Sequence, residues 1–270
     1  MPSTTSSKRK RLYGKKNLPS ETEISKGLRG DFVLEDIQLY RVDRHTFTIY
    51  VGSEPTEINS SNPESEEPGV EHNMADRFEL NLGILSGIDP NRPILIKQSS
   101  NGGDWEEGMK MFGAILTCSN PITILVTKFA RSMTSIIPLA ADKFVIRPPA
   151  QYMFHHGTYR FEGLTQEAET NFIELVRTRE MMLRIYLARL REQGKFKRWS
   201  TDRVREMLQR QMEKKVDVWL STDEAKQWGF ADDVFDGDWD KLRATKLNNE
   251  HRQRMLEAIR TPINVKVVIS

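Results

Sequence analysis

The sequence predicts an α/β fold in which strands and helices alternate around a mainly parallel sheet. An apolar run, Ile94–Lys97, leads through a polar stretch to Gly102–Gly103 and is followed by a helical pattern over Trp105–Cys118. A β-branched run, Ile122–Thr127, leads in a similar way to Ser132 at the start of an apolar helix. Because strands joined by a crossover helix lie parallel, we expect the glycine pair and Ser132 at the same carboxyl edge of the sheet.

Before this pattern, polar segments alternate with short structured elements. Residues 1–30 are rich in Ser, Lys and Arg, with a basic cluster at Lys8–Arg11, and are predicted to form a disordered or weakly held arm. We favour a solvated tail over a nucleic-acid contact or a targeting signal, and a pro-segment trimmed before activity stays open. A strand is predicted over His45–Val51, a polar loop insertion over 52–70, and an amphipathic helix from Asn73 to the prolines that follow.

After the central strand, a short turn is predicted at Lys128–Arg131, and Ser132 then opens its helix. A strand at Lys143–Ile146 and an extended piece at Tyr152–Phe154 deliver the pair His155 and His156. The further predicted elements are helices over Thr165–Arg191, Thr201–Lys215, Thr222–Trp228 and Trp239–Arg260, and strands over Val216–Leu220, Phe230–Phe235 and Val265–Ile269. We therefore divide the chain into the arm 1–30, a main domain 31–236 that carries the 52–70 loop, and a C-terminal extension 237–270.

Composition excludes several classes of function. The 270 residues are 38% apolar and 29% charged, but 40 basic residues against 38 acidic ones leave a net charge of +2. Nothing in that balance indicates a nucleic-acid or membrane partner. The single cysteine, Cys118, rules out an internal disulfide. The apolar stretch Ile122–Ala141 is interrupted by Lys128 and Arg131, which would be costly in lipid, so we predict a soluble cytoplasmic protein, with a viral host's cytoplasm or an organelle stroma as variants.

Ser132 allows two interpretations from its local sequence. As the first residue of a helix it is a good N-cap. As a hydroxyl at the carboxyl edge of a sheet, beside the free N–H groups of a helix, it is also well placed to act as a nucleophile. A histidine that returns to the same edge would then supply the general base. His155 and His156 face opposite sides of an extended segment, so only one of them is able to meet Ser132.

Taken in order, the motifs resemble those of the ClpP family of serine peptidases, the proteolytic subunits of caseinolytic proteases. The resemblance spans about Phe47 to Phe235. Its pieces are Gly102-Gly103, Ser132-Met133, Met153-Phe154-His155, Asp217, Trp219-Leu220-Ser221-Thr222-Asp223-Glu224-Ala225 and Gly229-Phe230-Ala231-Asp232. Each piece is weak alone, whereas the ordered set favours the nucleophile over the N-cap interpretation.

The resemblance implies a repeated ββα superhelix of the ClpP/crotonase type with a protruding handle, formed by the segment after the histidine and the long helix. It implies a Ser132–His155–Asp217 triad, with the backbone N–H groups of Gly103 and Met133 as the oxyanion hole, and no cofactor or metal. Asp217 takes the family's acid position, whereas Asp223 falls inside the following helix. Unfolded polypeptide substrates, stacked rings of seven and an AAA+ unfoldase are the implied partners, although a single ring fits the sequence equally well.

Departures from the family pattern affect specificity and regulation more than the triad. The turn before Ser132 holds Lys128–Arg131 in place of small residues, Thr134 replaces the usual glycine, and Asn101 replaces a proline. Insertions at 52–70 and near Glu192–Lys215 lie close to where family members bind partners or guard entry, so the resemblance alone does not establish an unfoldase partner. Two other functions stay open: a catalytically inactive ring subunit, and a crotonase-type acyl-CoA enzyme that uses a similar glycine turn.

Overall fold

The computed structural model describes residues 36–52, 69–158 and 164–263, and these contain one eight-stranded sheet. Its main path follows β1 (Val42–Asp43), β2 (Thr48–Val51), β3 (Ile94–Ser100), β4 (Ile122–Arg131), β5 (Lys143–Ile146) and β8 (Asp233–Val234). All neighbours from β2 to β8 along this path are parallel, and only β1 is antiparallel. The predicted α/β class is confirmed.

Besides a helical turn at residues 36–39, seven α-helices lie in the described part of the chain. They are α1 (His72–Ile88), α2 (Trp105–Thr117), α3 (Met133–Ile136), α4 (Thr165–Glu192), α5 (Thr201–Lys215), α6 (Thr222–Trp228) and α7 (Asn249–Arg260), with a 3₁₀ turn, Ile137–Ala140, after α3. The predicted bounds of α2, α4, α5 and α6 are correct to within one residue, because local caps set them. Ser221, for example, accepts from the amide of Glu224, whose carboxylate accepts from the amide of Ser221.

Strand β4 pairs with two different strands along its length. Its first half pairs with β5, as in Val126 with Ile146, and its second half pairs with β6 (Gln151–Phe154), as in Arg131 with Met153. Strand β6 also pairs antiparallel with β7 (Val218–Leu220). The ends of β4 and β6 and the start of β7 therefore meet, which brings three distant stretches of chain to one place.

Among the predicted boundaries that are wrong, three are explained by contacts with distant parts of the sheet and one by a local turn. The turn predicted at Lys128–Arg131 is strand, since β6 extends the pairing of β4. The predicted strand His45–Val51 begins at Thr48, because residues 44–47 form a turn around the Asp43 carboxylate. The strand predicted over Phe230–Phe235 is limited to two residues by its pairing with β5. The helix predicted from Trp239 begins at Asn249.

The segment before α7 is irregular because its residues bond to the sheet. Arg243 donates to the carbonyls of Phe47 and Pro93, and the amide of Ala244 donates to Thr123. Leu242 completes a small apolar cluster with Leu95, Leu125 and Val145. The predicted arm 1–30, most of the 52–70 loop and the predicted strand Val265–Ile269 lie outside the described residues. Among the described helices, none combines the length and the apolar character needed to cross a membrane.

Candidate active site

Ser132 lies at the junction of β4 and α3 in a backbone conformation that residues with side chains rarely adopt. Its φ is 50° and its ψ is −125°, a combination that stores strain unless the surroundings hold it. The Ser132 amide donates to the carbonyl of Met153 at 3.0 Å, and the Ser132 carbonyl accepts from the Ser135 amide at 2.9 Å. A sharp, held strand-to-helix turn of this kind presents a serine hydroxyl outward.

His155 follows β6 directly and lies against this hydroxyl. Its Nε2 is 2.7 Å from Ser132 Oγ, and its side chain is 15% exposed. The strand behind it is anchored by Phe154, which packs against the rings of Tyr186 at 5.5 Å and Phe230 at 5.3 Å. The adjacent His156 is half-buried, and burial, followed by the positive charge of Arg179, lowers its pKa.

Asp217 reaches His155 from the loop between α5 and β7. The distance from its Oδ1 to His155 Nδ1 is 3.2 Å, and the Asp217 side chain is 43% exposed. The loop is a γ-turn, because the Asp217 amide donates to the carbonyl of Lys215 at 2.8 Å and Val216 between them has a φ of 62°. A β-branched residue at positive φ is strained, so strain is found next to Asp217 as well as at Ser132.

Of the two glycines after β3, Gly102 lies directly against Ser132 and Gly103 lies against Val70. Gly102 has a φ of 110°, and a Cβ added there would lie 2.6 Å from Ser132 Cβ and 3.2 Å from the Met133 amide nitrogen. Gly103 has a φ of 144°, and its added Cβ would lie 2.3 Å from the backbone of Val70. Neither position accepts a larger residue without a shift of backbone, so this close approach explains the glycine pair.

The backbone geometry leaves the amides of Gly103 and Met133 available as hydrogen-bond donors near the junction of β4 and α3. Val70 bonds to both neighbours of Gly103, donating to the Gly102 carbonyl and accepting from the Asp104 amide. The Gly103 amide therefore points away from Val70. Met133 is the first residue of its helix, where amides lack a partner within the helix. Two N–H groups next to a serine hydroxyl are the donors that an oxyanion needs.

Thr134, which departs from the family's glycine, uses its hydroxyl to tie the turn to β3. Its Oγ1 lies 2.7 Å from the Ser100 carbonyl and 2.8 Å from the Arg131 carbonyl, and it accepts from the Arg131 amide at 3.1 Å. The carbonyl of Thr134 accepts from Gln98 Nε2 at 2.8 Å. The sequence marks Thr134 only as a difference, since two of its partners, Ser100 and Gln98, lie on another strand.

The structure therefore brings together all five residues that the sequence singled out: Ser132, His155, Asp217, Gly103 and Met133. Because a carboxylate only accepts hydrogen bonds, the position of Asp217 beside Nδ1 of His155 favours the tautomer that carries its hydrogen on Nδ1. The Nε2 lone pair then faces Ser132 Oγ. This arrangement is suited to removing the hydroxyl proton of Ser132 during nucleophilic attack.

Comparison with known proteins gives consistent matches. The family model described as Clp protease matches residues 66–238. The ATP-dependent Clp protease proteolytic subunit of Deinococcus radiodurans is 27% identical over 169 residues, covering 62% of this chain and 76% of that protein. The ATP-dependent Clp protease proteolytic subunit 1 of Protochlamydia amoebophila is 28% identical over 171 residues, covering 61% and 76% respectively.

A solved structure matches at the level of the fold. The structure of a ClpP1 mutant from Listeria monocytogenes aligns with a TM-score of 0.57 at 23% identity, covering 74% of this chain and 96% of that one. The two chains therefore share a fold, as the resemblance of the motifs predicted. Helix α7 lies beyond the part of the chain that the family model matches.

Proposed function

Because this chain belongs to the Clp protease family, we propose that it is a serine endopeptidase whose triad is Ser132, His155 and Asp217. The observation that carries the proposal is the 2.7 Å contact between His155 Nε2 and Ser132 Oγ, with a carboxylate on the other ring nitrogen. That order of hydroxyl, imidazole and carboxylate is the arrangement that activates a serine.

In the proposed reaction, Ser132 Oγ attacks the carbonyl carbon of a peptide bond and passes its proton to His155 Nε2. Asp217 keeps the hydrogen on Nδ1 and stabilises the imidazolium. The negative charge that develops on the carbonyl oxygen is held by the amides of Gly103 and Met133, each worth about 3 kcal/mol in comparable sites. Nε2 then returns the proton to the leaving amine, and water hydrolyses the acyl-enzyme by the same steps.

The finer features of the family are also proposed for this chain. We place the reaction inside a chamber built from several copies, with stacked rings of seven as the working arrangement and α4 as part of the handle between them. Unfolded or flexible polypeptide is the proposed substrate, fed by an AAA+ partner where one is present. The single cysteine agrees with a reducing compartment such as the cytoplasm.

The test is active-site labelling with a fluorophosphonate, which reacts with activated serines. We expect one adduct, on Ser132, that is lost in Ser132→Ala and His155→Ala. The matched control is His156→Ala, which removes the neighbouring imidazole and should label like the wild type.

An unlabelled wild-type protein, assembled and folded, would contradict the proposal and favour an inactive ring subunit. An acyl-CoA enzyme of the crotonase type is the less favoured alternative, because it has no need for contact between Ser132 and His155. It would be supported by binding of coenzyme A to the unlabelled protein.

A further inference from the structure

A chain of buried hydroxyl groups runs beneath the nucleophile. Ser135 Oγ is 2.6 Å from the carbonyl oxygen of Ser132, and the hydroxyl of Tyr186 is 2.9 Å from Ser135 Oγ. The hydroxyl of a second tyrosine, Tyr152, donates to the backbone carbonyl of Ser135 at 2.9 Å. All three side chains are at most 1% exposed. None of them is part of the proposed triad or oxyanion hole.

The number of hydrogens available decides which group donates in each hydrogen bond of this hydroxyl chain. A carbonyl oxygen only accepts, so the single hydroxyl hydrogen of Ser135 is directed to the Ser132 carbonyl. Tyr186 must then donate to Ser135 Oγ. Burial raises the pKa of Tyr186, which keeps it protonated, and therefore a donor, across the neutral range. The chain of donation is Tyr186 to Ser135 to Ser132.

The carbonyl at the end of this chain belongs to the peptide unit between Ser132 and Met133. A peptide unit is planar, with its C=O and N–H groups pointing in opposite directions. Fixing the Ser132 carbonyl through the amide and hydroxyl of Ser135 therefore also fixes the direction of the Met133 N–H, one of the two proposed oxyanion donors. Stabilisation of an oxyanion depends on such donors being aligned before the charge appears.

The ring of Tyr186 also touches the strand that carries the base. It packs against Phe154, the residue before His155, with the ring centroids 5.5 Å apart and the planes inclined at 60°. Tyr186 lies on the long helix α4. One side chain of the long helix thus contacts the supports of both Ser132 and His155.

We infer that Tyr186 is a positioning residue of the proposed peptidase, holding the Ser132–Met133 peptide unit through Ser135 so that the Met133 amide faces the oxyanion. The inference rests on the proposed function. It also gives a physical link from α4, the proposed handle, to the reacting atoms.

The experiment compares two matched variants, Tyr186→Phe and Tyr152→Phe. Each removes one buried hydroxyl that bonds to Ser135 and retains the ring, but only Tyr186 lies on the path to the Ser132 carbonyl. For Tyr186→Phe we expect kcat for a fluorogenic peptide to fall by about tenfold with KM unchanged, since only the charged intermediate is affected. We expect both variants to lower Tm by a similar amount. For Tyr152→Phe, however, we expect kcat to stay within about twofold of the wild type.

A double-mutant cycle shows whether Tyr186 acts through Ser135. Ser135→Ala should reproduce the loss of kcat, and adding Tyr186→Phe to it should lower kcat no further. Additive losses, or a kcat for Tyr186→Phe equal to that of the wild type, would overturn the inference while leaving the proposed function intact. If the wild-type protein neither cleaves peptides nor labels at Ser132, it is the proposed function that fails, and the inference falls with it.

Discussion

At the scale of single residues, the three members of the proposed triad differ in how firmly they are held. His155 is 15% exposed and rests on a strand packed among aromatic rings, whereas Asp217 is 43% exposed and follows the strained turn at Val216. Ser132 carries backbone strain of its own. Strained residues persist only where surrounding contacts over-determine them, so the hydrogen bonds around each turn help to hold the reacting groups in place.

Substitution of the acid tests this part of the site. In Asp217→Asn the new side-chain amide is able to donate as well as accept, so it no longer requires a hydrogen on Nδ1 of His155. The imidazole is then free to present the wrong tautomer to Ser132. We expect kcat to fall by about 10³- to 10⁴-fold, measured with a fluorogenic peptide, while the assembly state by gel filtration is unchanged. Asp223→Asn, on the following helix, is the control and should keep full activity. A small effect at Asp217 would mean that another carboxylate orients His155.

At the scale of secondary-structure elements, α7 is bound to the fold by buried charges. Arg252 forms a two-pronged ion pair with Asp142, at 2.9 and 2.6 Å, and also donates to the carbonyls of Cys118 and Asn120. The Asp142 side chain is only 1% exposed. The same carboxylate accepts from the amide of Ile122 at the start of β4, so α7 is tied to the strand that leads to Ser132.

Removal of this arginine is expected to be strongly destabilising. In Arg252→Ala the Asp142 carboxylate stays buried without its charged partner, which typically costs about 3–5 kcal/mol. Denaturant unfolding should show a loss of this size. The control is Arg254→Ala on the same helix, which removes a 43% exposed arginine and should cost less than about 1 kcal/mol. Equal effects of the two substitutions would show that the buried pair has no special role.

At the scale of the whole molecule, Glu192 joins three parts of the chain. It ends α4, and its carboxylate contacts His251 at 2.6 Å and Arg254 at 2.8 Å, both on α7. The other ring nitrogen of His251 lies 2.8 Å from the carbonyl of Leu139, after α3. Both partners of His251, a carboxylate and a carbonyl, are hydrogen-bond acceptors. The buried His251 ring links α4, α7 and the segment beyond the nucleophile.

This junction predicts a specific dependence of stability on pH. Burial of Glu192 would raise its pKa, but the hydrogen bond and charge of His251, together with Arg189 and Arg254, lower it to about 2. In the unfolded chain the pKa of a glutamate is about 4.3. A carboxyl whose pKa is lower than this in the folded state stabilises the fold at pH values above the unfolded-state pKa. That stabilisation is lost as the pH falls towards the folded value.

We therefore expect the free energy of unfolding of the wild type to decrease between about pH 5 and pH 2 more steeply than that of Glu192→Gln. Urea unfolding at several pH values measures both slopes. Glu250→Gln, which changes an 88% exposed side chain on α7, is the control and should keep the wild-type slope. Parallel slopes for the wild type and Glu192→Gln would mean that the junction contributes nothing in this range.

Local chemistry was enough to predict much of the fold. Capping residues and stripes of apolar side chains located α2, α4, α5 and α6, because these signals act within a few residues of the helix. The alternation of strand and helix implied parallel strands and one shared carboxyl edge, which the sheet confirms. The ordered motifs likewise indicated the family to which the chain belongs.

By itself, then, the sequence determined the α/β class, the family and the candidate site residues Ser132, His155, Asp217, Gly103 and Met133. Only the tertiary structure decided that β4 runs through Lys128–Arg131 to pair with β6, and that Arg252 and Tyr186 reach buried groups far away in the chain. The physical reason is the range of the interactions. Caps and periodicity are set by neighbours along the chain, whereas strand pairing, buried ion pairs and hydroxyl chains depend on partners that only folding brings together.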